Sequence, residues 1–343
     1  MNQRVRDVAF SCNDAGTPYL NVAVYSLLEH YKSEIPLRIN IFEGYGGHSA
    51  ESKAKLREIV EDANRVRENS SSSRAEVFSL RYHDVEKYIE PHADLILNRE
   101  KSRWNVFTWT PIFTPAILAD AEGPCIHFDI DMLFNADVSE LFEVFDLQPS
   151  TFNLQPLIAC AMEYDKYGDN AGHVIWEKGI LPPDVERYFN TGVLVFNTEA
   201  CREEKTWEKI IAWYREHYEI ADRIEQDAWN ALYHDRCVPL SVAWNFHDRN
   251  IKNYAKWNAS EKYWLGNPPR ECLAAALEPK LLHFWGPKKP WKPSHRPYRK
   301  LYHAAMAAVG QAVPKEEFLA PLHNLKNRRL LKKIRGRLEG LGE

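Results

Sequence analysis

The chain has 343 residues, with 44 Lys and Arg set against 48 Asp and Glu for a formal charge of −4, and 45% of it is hydrophobic. This is ordinary globular usage; it excludes a disordered or collagen-like chain, and a charge so near balance argues against wholesale nucleic-acid binding. The length suits one large domain or two modest ones.

The predicted elements alternate along the first half. Residues 5–11 read as a strand and 18–31 as a helix, with Thr17 as N-cap and Pro18 at the first helical position. Residues 37–42 alternate as a strand does, 51–66 are charged and helical, 70–73 are a serine loop, and 75–80 form a short strand. A helix starts at Thr114-Pro115 and runs to about Ala121, and 125–128 form a compact apolar strand. Strands alternating with helices predict an α/β fold with a largely parallel sheet flanked by helices, with ligands at the carboxyl ends of its strands.

Further on, 157–161 and 192–197 are strand-like, and 163–188, rich in Gly, Pro and charge, reads as a loop over the site. Trp207, Ile210, Ile211, Tyr214 and Tyr218 recur at helical spacing, 225–234 form another helix, and 280–284 a late strand. No leader or spanning helix is evident. The six cysteines form no Cys-x-x-Cys pair, which argues against zinc and suits a reducing cytosol.

Four segments carry chemistry. In Ile126-His127-Phe128-Asp129-Ile130-Asp131, an apolar strand ends in two carboxylates suited to one hard divalent cation, Mg²⁺ or Mn²⁺, with phosphate oxygens completing its shell. Taken alone, the pair reads equally well as aspartates capping a turn. In Leu281-Leu282-His283-Phe284-Trp285-Gly286-Pro287-Lys288-Lys289-Pro290-Trp291, His283 offers a nitrogen ligand to the same cation. Gly286 lets the backbone approach a phosphate, and Lys289 offers that phosphate a point charge. Tyr188-Phe189-Asn190-Thr191-Gly192 leads into a strand, with the Asn190 amide suited to a sugar hydroxyl. Ile224-Glu225-Gln226-Asp227 opens a helix, where acidic residues commonly serve the dipole alone.

Together these segments resemble glycosyltransferase family 8, which includes bacterial galactosyl- and glucosyltransferases of lipooligosaccharide assembly. The likeness runs from about Val5 to Trp291 and is most specific at Phe128-Asp129-Ile130-Asp131, Phe189-Asn190-Thr191-Gly192-Val193 and His283 to Trp291. It implies a GT-A fold and a retaining hexosyltransferase that uses a UDP-sugar and Mn²⁺ (or Mg²⁺), with a saccharide or glycolipid as acceptor. By that resemblance Asp129, Asp131 and His283 hold the metal, and Gly286 and Lys289 the diphosphate. Asn13 and Asp14 lie toward the base, and Asn190, Gln226, Glu225 and Asp227 toward the transferred sugar. Three departures stand out. Asn13 occupies a position where relatives carry an Asp that contacts uracil, Glu225 stands where Asp is usual, and Trp109 to Phe113 lack an Arg found before Asp-x-Asp in relatives. Arg99 and Arg103 are the nearest replacements.

The resemblance implies a glycosyltransferase domain over residues 1–311, with a nucleotide-binding part to about 135 and an acceptor part beyond. Residues 312–343 form a separate tail, where Lys326, Arg328, Arg329, Lys332, Lys333, Arg335 and Arg337 interleave with Leu325, Leu330, Leu331, Ile334 and Leu338. This reads as a basic amphipathic helix for an anionic membrane surface, making the protein cytoplasmic and peripheral at the inner face. Trp244, Trp257, Trp264, Trp285 and Trp291 cluster late in the chain; core packing accounts for most of them, and Trp291 is expected to brace the phosphate loop. Two rivals remain: a catalytically silent nucleotide-sugar binder and an Asp-x-Asp phosphatase. The latter is disfavoured because its nucleophile usually lies near the start of the chain.

Overall fold

The computed structural model describes residues 5–70, 77–98, 105–146, 154–165, 176–182, 185, 187–221, 223–256, 267–292, 296–315 and 320–341. A seven-stranded sheet runs in the order β3-β2-β1-β4-β7-β6-β8. Its strands are β1 (Arg6–Ser11), β2 (Leu37–Glu43), β3 (Phe78–Asp84), β4 (Cys125–Phe128), β6 (Ile158–Asp165), β7 (Arg187–Phe196) and β8 (Cys237–Leu240). Within this sheet β1, β2, β3 and β4 pair in parallel, as do β6 and β8. β7 is antiparallel to both its neighbours, so it alone runs against the others. A small sheet in the order β5-β10-β9 joins β5 (Met132–Phe134), β10 (Leu281–His283) and β9 (Phe246–His247).

The apolar centre of β1 is buried on both faces, with Val8, Ala9 and Phe10 all fully inaccessible, because helices cover a parallel sheet on both sides. Helix α1 (Thr17–His30) begins one residue earlier than expected. Gly16 takes the cap position and Thr17 is already helical, with Pro18 in the first turn where a missing N–H costs little. Helix α2 (Ala50–Ser70) outruns its predicted span. The helix at Thr114 ends at Ile117, and β3 lies three residues later than its predicted start. The segment expected to loop over the site is strand at both ends, since β6 reaches Asp165 and β7 begins at Arg187. Most of the rest of it, together with residues 71–73, Arg99, Arg103, Trp257 and Trp264, lies outside the described residues.

Helix α3 (Thr206–His217) buries Ile210, Ile211 and Tyr214, and α4 (Glu225–Tyr233) packs beside β7. Helices α5 (Pro269–Leu277) and α6 (Arg299–Ala308) precede the basic tail helix α7 (Ala320–Gly340). α7 packs against α5. Ile334 is fully buried, Leu330, Leu331 and Leu338 pack partly buried against the main core, and Arg337 Nη1 donates to Tyr254 O at 3.1 Å. The apolar stripe that the sequence assigns to a bilayer therefore has a protein partner, while Lys326, Arg328, Arg329, Lys332, Lys333 and Arg335 remain exposed. All six cysteines are free and buried. Among the described residues no helix is long and apolar enough to cross a membrane.

Candidate active site

A cleft of about 740 Å³ opens where β1 and β4 end and β7 passes. Because β7 runs backwards, its Asn190-Thr191-Gly192 stretch lies beside the C-terminal end of β4, with Val193 in register with Phe128. Asp129, Ile130 and Asp131 form the three-residue crossing from β4 in the large sheet to β5 in the small one. The backbone fixes both sides of that crossing: Asp129 N donates to Gly192 O at 3.0 Å, and Phe284 N donates to Asp131 O at 2.9 Å.

His283, at the end of β10, completes a cluster with the two aspartates. Its Nε2 is 3.3 Å from Asp131 Oδ1 and 3.6 Å from Asp129 Oδ2. One ligand atom from each of the three residues lies within 4.8 Å of the others. Lys289 Nζ pairs with Asp131 Oδ2 and donates to Phe284 O at 3.1 Å. Burial alone would raise the Asp131 carboxyl, but His283 and Lys289 outweigh it and hold the group well below the usual carboxylate range. Asp129 moves the other way, pushed up by its confined position and by the Asp131 charge. The His283 imidazole is raised despite burial, chiefly by Asp131.

The orientation of His283 is set by a chain of amides with one consistent direction. Gly192 N donates to Asn190 Oδ1 at 2.9 Å, and Asn245 Nδ2 donates to the same oxygen at 2.7 Å. Asn245 Oδ1 then faces His283 Nδ1 at 2.8 Å. An amide oxygen only accepts, so Nδ1 carries a hydrogen, and the neutral imidazole presents its Nε2 lone pair toward the aspartates. Such an outer partner is what a metal-binding histidine normally has. Gly192 is required here by close approach: a Cβ would lie 2.6 Å from His283 Cε1, 2.9 Å from Asn190 Oδ1 and 3.0 Å from Asp129 Oδ2. Two carboxylates, one correctly presented imidazole nitrogen and a wall shaved to glycine fit a divalent cation.

Beside this cluster lies a buried polar layer. Asn190 Nδ2 donates to Glu163 Oε2 at 3.0 Å and to Gln226 Oε1 at 3.1 Å, and Gln226 Nε2 donates to Glu163 Oε2 at 3.2 Å. Arg223 Nη1 reaches the same Glu163 oxygen at 3.4 Å. Glu225 accepts from Thr191 Oγ1 at 3.0 Å, and burial pushes its carboxyl up to about 8. Ile224, the residue before α4, has φ 48°. A β-branched side chain rarely adopts positive φ, so this turn is held by its surroundings, and it brings Glu225 and Gln226 into the cleft wall.

The cleft brings together Asn13, Asp129, Asp131, Asn190, Glu225, Gln226, His283, Gly286 and Lys289. Two expected residues are elsewhere. Asp14 Oδ1 accepts from Ser49 N at 2.9 Å and from Ser49 Oγ at 3.1 Å, which turns it toward the start of α2. Asp227 is fully buried, accepting from Tyr188 OH at 2.6 Å and Arg223 N at 2.9 Å, so it fixes the β7–α4 junction and does not line the cleft. Sequence reasoning missed Glu163, Arg223, Asn245 and Arg249. Only Asn245, a lone amide in an apolar run, carries any local signal. Trp285 lines the cleft with its ring parallel to His247. Trp291 stacks on Tyr19 with centroids 3.8 Å apart, fastening the segment after β10 to α1. Trp244 is buried.

A mostly parallel sheet broken by one reversed strand, with an Asp-x-Asp crossing at the C-terminal end of its central strand, defines the GT-A type of glycosyltransferase architecture. The chain belongs to glycosyl transferase family 8, whose model matches residues 7–294. General stress protein A of Bacillus subtilis (strain 168) is 27% identical over 183 residues, spanning 52% of this chain and 56% of that protein. In fold, the chain is similar to the apo structure of the bifunctional glycosyltransferase WbbM, with TM-score 0.66 and 19% identity. That match covers 95% of this chain and 52% of WbbM, so the chain spans about half the length of that protein. It is also similar to the galactosyltransferase LgtC in complex with donor and acceptor sugar analogs, with TM-score 0.63 and 18% identity, covering 90% of this chain and 98% of LgtC.

Proposed function

We propose that the protein is a retaining, metal-dependent hexosyltransferase that moves galactose or glucose from a UDP-sugar to a saccharide acceptor in cell-surface glycan assembly. The observation that carries this reading is the Asp129–Asp131–His283 cluster with Lys289 beside it and the Asn190–Gln226–Glu163 layer adjoining. A bound Mn²⁺ or Mg²⁺ would supply Lewis-acid stabilisation of a departing diphosphate. Lys289 and the backbone at Gly286 would stabilise the same charge. Gly286 has φ 87° and so adopts a conformation that glycine accepts readily.

Retention needs either a carboxylate nucleophile or departure and attack on one face. The Gln226 amide is a poor nucleophile. Glu225 is held protonated near neutrality by burial. Glu163 Oε2 is engaged by Asn190, Gln226 and Arg223. These facts support the same-face route: the sugar–phosphate bond breaks, the acceptor oxygen bonds to the anomeric carbon, and the acceptor proton passes to the departing phosphate oxygen. Asn190 and Gln226 orient the sugar while positive charge builds on its ring.

The exposed basic residues of α7 support residence at an anionic membrane surface mainly through charge, since all of the apolar face but Leu325 is occupied. The test of activity is a panel of UDP-sugars assayed for UDP release with and without Mn²⁺. Metal-dependent UDP release from one hexose donor, lost in D129A/D131A, is expected. Release of free phosphate would point to a phosphatase, and full activity in the double variant would refute the metal site. The membrane reading is checked by sedimentation with anionic vesicles: K332E/K333E should bind less, and wild-type binding insensitive to salt would overturn it.

A further inference from the structure

One cation in the cleft is unused by anything above. Arg249 follows β9, is exposed, and lines the cleft beside Trp285, Gly286 and Lys289. Its guanidinium lies over the Trp285 ring at 5.4 Å from the centroid. A Cβ on Gly286 would stand 2.9 Å from Arg249 Nη1, so the guanidinium occupies the space a side chain would need on the loop that carries Gly286 and Lys289. Among the described residues no carboxylate pairs with it: its sequence neighbour Asp248 is fully buried and paired with Arg296. Arg296 also donates to Trp285 O at 2.9 Å, which holds the backbone of the residue that Arg249 lies over.

We infer that Arg249 is a diphosphate-binding residue of this enzyme. This rests on the nucleotide-sugar reading above. The charge balance favours it. Asp129 and Asp131 neutralise a divalent cation, and Arg223 is matched by Glu163. Lys289 and Arg249 are then left to face the two negative charges of a sugar-linked diphosphate. Lys289 alone would leave one of them uncompensated, and departure of the sugar adds a third. A guanidinium placed over Trp285 can offer two parallel N–H donors to phosphate oxygens, which a lysine cannot do. An anionic group on the acceptor shares this chemistry, but the contact with the Gly286 loop favours the donor.

The test is calorimetric titration of UDP, with Mn²⁺ present, into wild type, R249Q and R249K, with Mn²⁺ titrated alone as a control for an intact metal site. The expected result is about a tenfold or greater loss of UDP affinity in R249Q, a smaller loss in R249K, and unchanged Mn²⁺ affinity in both. Wild-type UDP affinity in R249Q would overturn the inference while leaving the glycosyltransferase reading in place. So would a defect seen only as a raised KM for a phosphorylated acceptor sugar, which would assign Arg249 to the acceptor. Failure of the wild type itself to bind UDP would overturn both.

Discussion

Asn245 touches no proposed substrate or metal, yet the geometry makes the metal site depend on it. Replacing it with Leu, close to it in size and shape, removes the acceptor 2.8 Å from His283 Nδ1 and the donor 2.7 Å from Asn190 Oδ1. Asn190 Oδ1 keeps its bond from Gly192 N, whereas the buried His283 N–H loses its partner, a cost of about 1–3 kcal/mol. The imidazole then has no reason to keep its hydrogen on Nδ1. Moving it to Nε2 satisfies the aspartates by hydrogen bonding and leaves no lone pair for a cation. Loss of such an outer partner typically lowers metal affinity about 10- to 100-fold, and N245L should fall in that range by Mn²⁺ titration. Thermal melting of the metal-free protein checks that the variant is folded, with a drop in line with two lost buried hydrogen bonds. N245L that stays folded and binds Mn²⁺ as wild type does would refute the amide relay. N245D separates the two bonds: its carboxylate still accepts from Nδ1, so metal binding should survive better than in N245L, but it faces Asn190 Oδ1 without a hydrogen and should lower stability.

Other consequences can be measured directly. G192A must displace His283, Asn190 or Asp129, and should cost about 1–3 kcal/mol in denaturant unfolding along with weaker Mn²⁺ binding; wild-type values for both would contradict the close approach. Burial raises Glu225 from an unfolded value of 4.5 to about 8. The native state therefore retains a proton that the unfolded state loses, and this group makes stability fall as pH rises through that window. E225Q removes the effect, so its stability relative to wild type should climb between pH 5 and pH 9 in metal-free protein, and a flat difference would dismiss the shift. I334A should cost about 2 kcal/mol or more and expose the end of the chain to limited proteolysis, whereas R335E on the outer face of the same helix should leave stability nearly unchanged.

Much of this was legible in the sequence where chemistry and local structure coincide. Asp129, Asp131, His283 and Lys289 stand at or just after short apolar strands, so pattern and residue type point to one place. The reversal of β7 was not legible, because alternation has no direction: 192–197 reads the same run either way. That reversal is what brings Asn190 to the end of β4, and with it Glu163 from the adjacent strand. Asn245 and Arg249 come from a stretch of short turns whose position depends on tertiary packing. Their roles arise from partners 38 and 37 residues away, His283 and Gly286, which no local spacing encodes. Asp14 and Asp227 show the opposite error. Each sits beside a cleft residue in sequence, but a serine amide in one case and a tyrosine hydroxyl in the other offered a better partner. The tail illustrates a limit of amphipathicity itself, since an apolar stripe looks the same whether lipid or protein will cover it.

The crossing from β4 to β5 has a mechanical consequence. Asp129 is bonded to β7 of the large sheet and Asp131 to the segment after β10 of the small one, so the two carboxylates stand on either side of the line where the sheets meet. An ion held between them acts as a rivet through a seam. Its arrival should slow amide exchange in β5 and β10 as well as at the crossing, and its departure should let the two sheets flex against each other. Binding of such an ion and stiffening of the cleft should then be a single event.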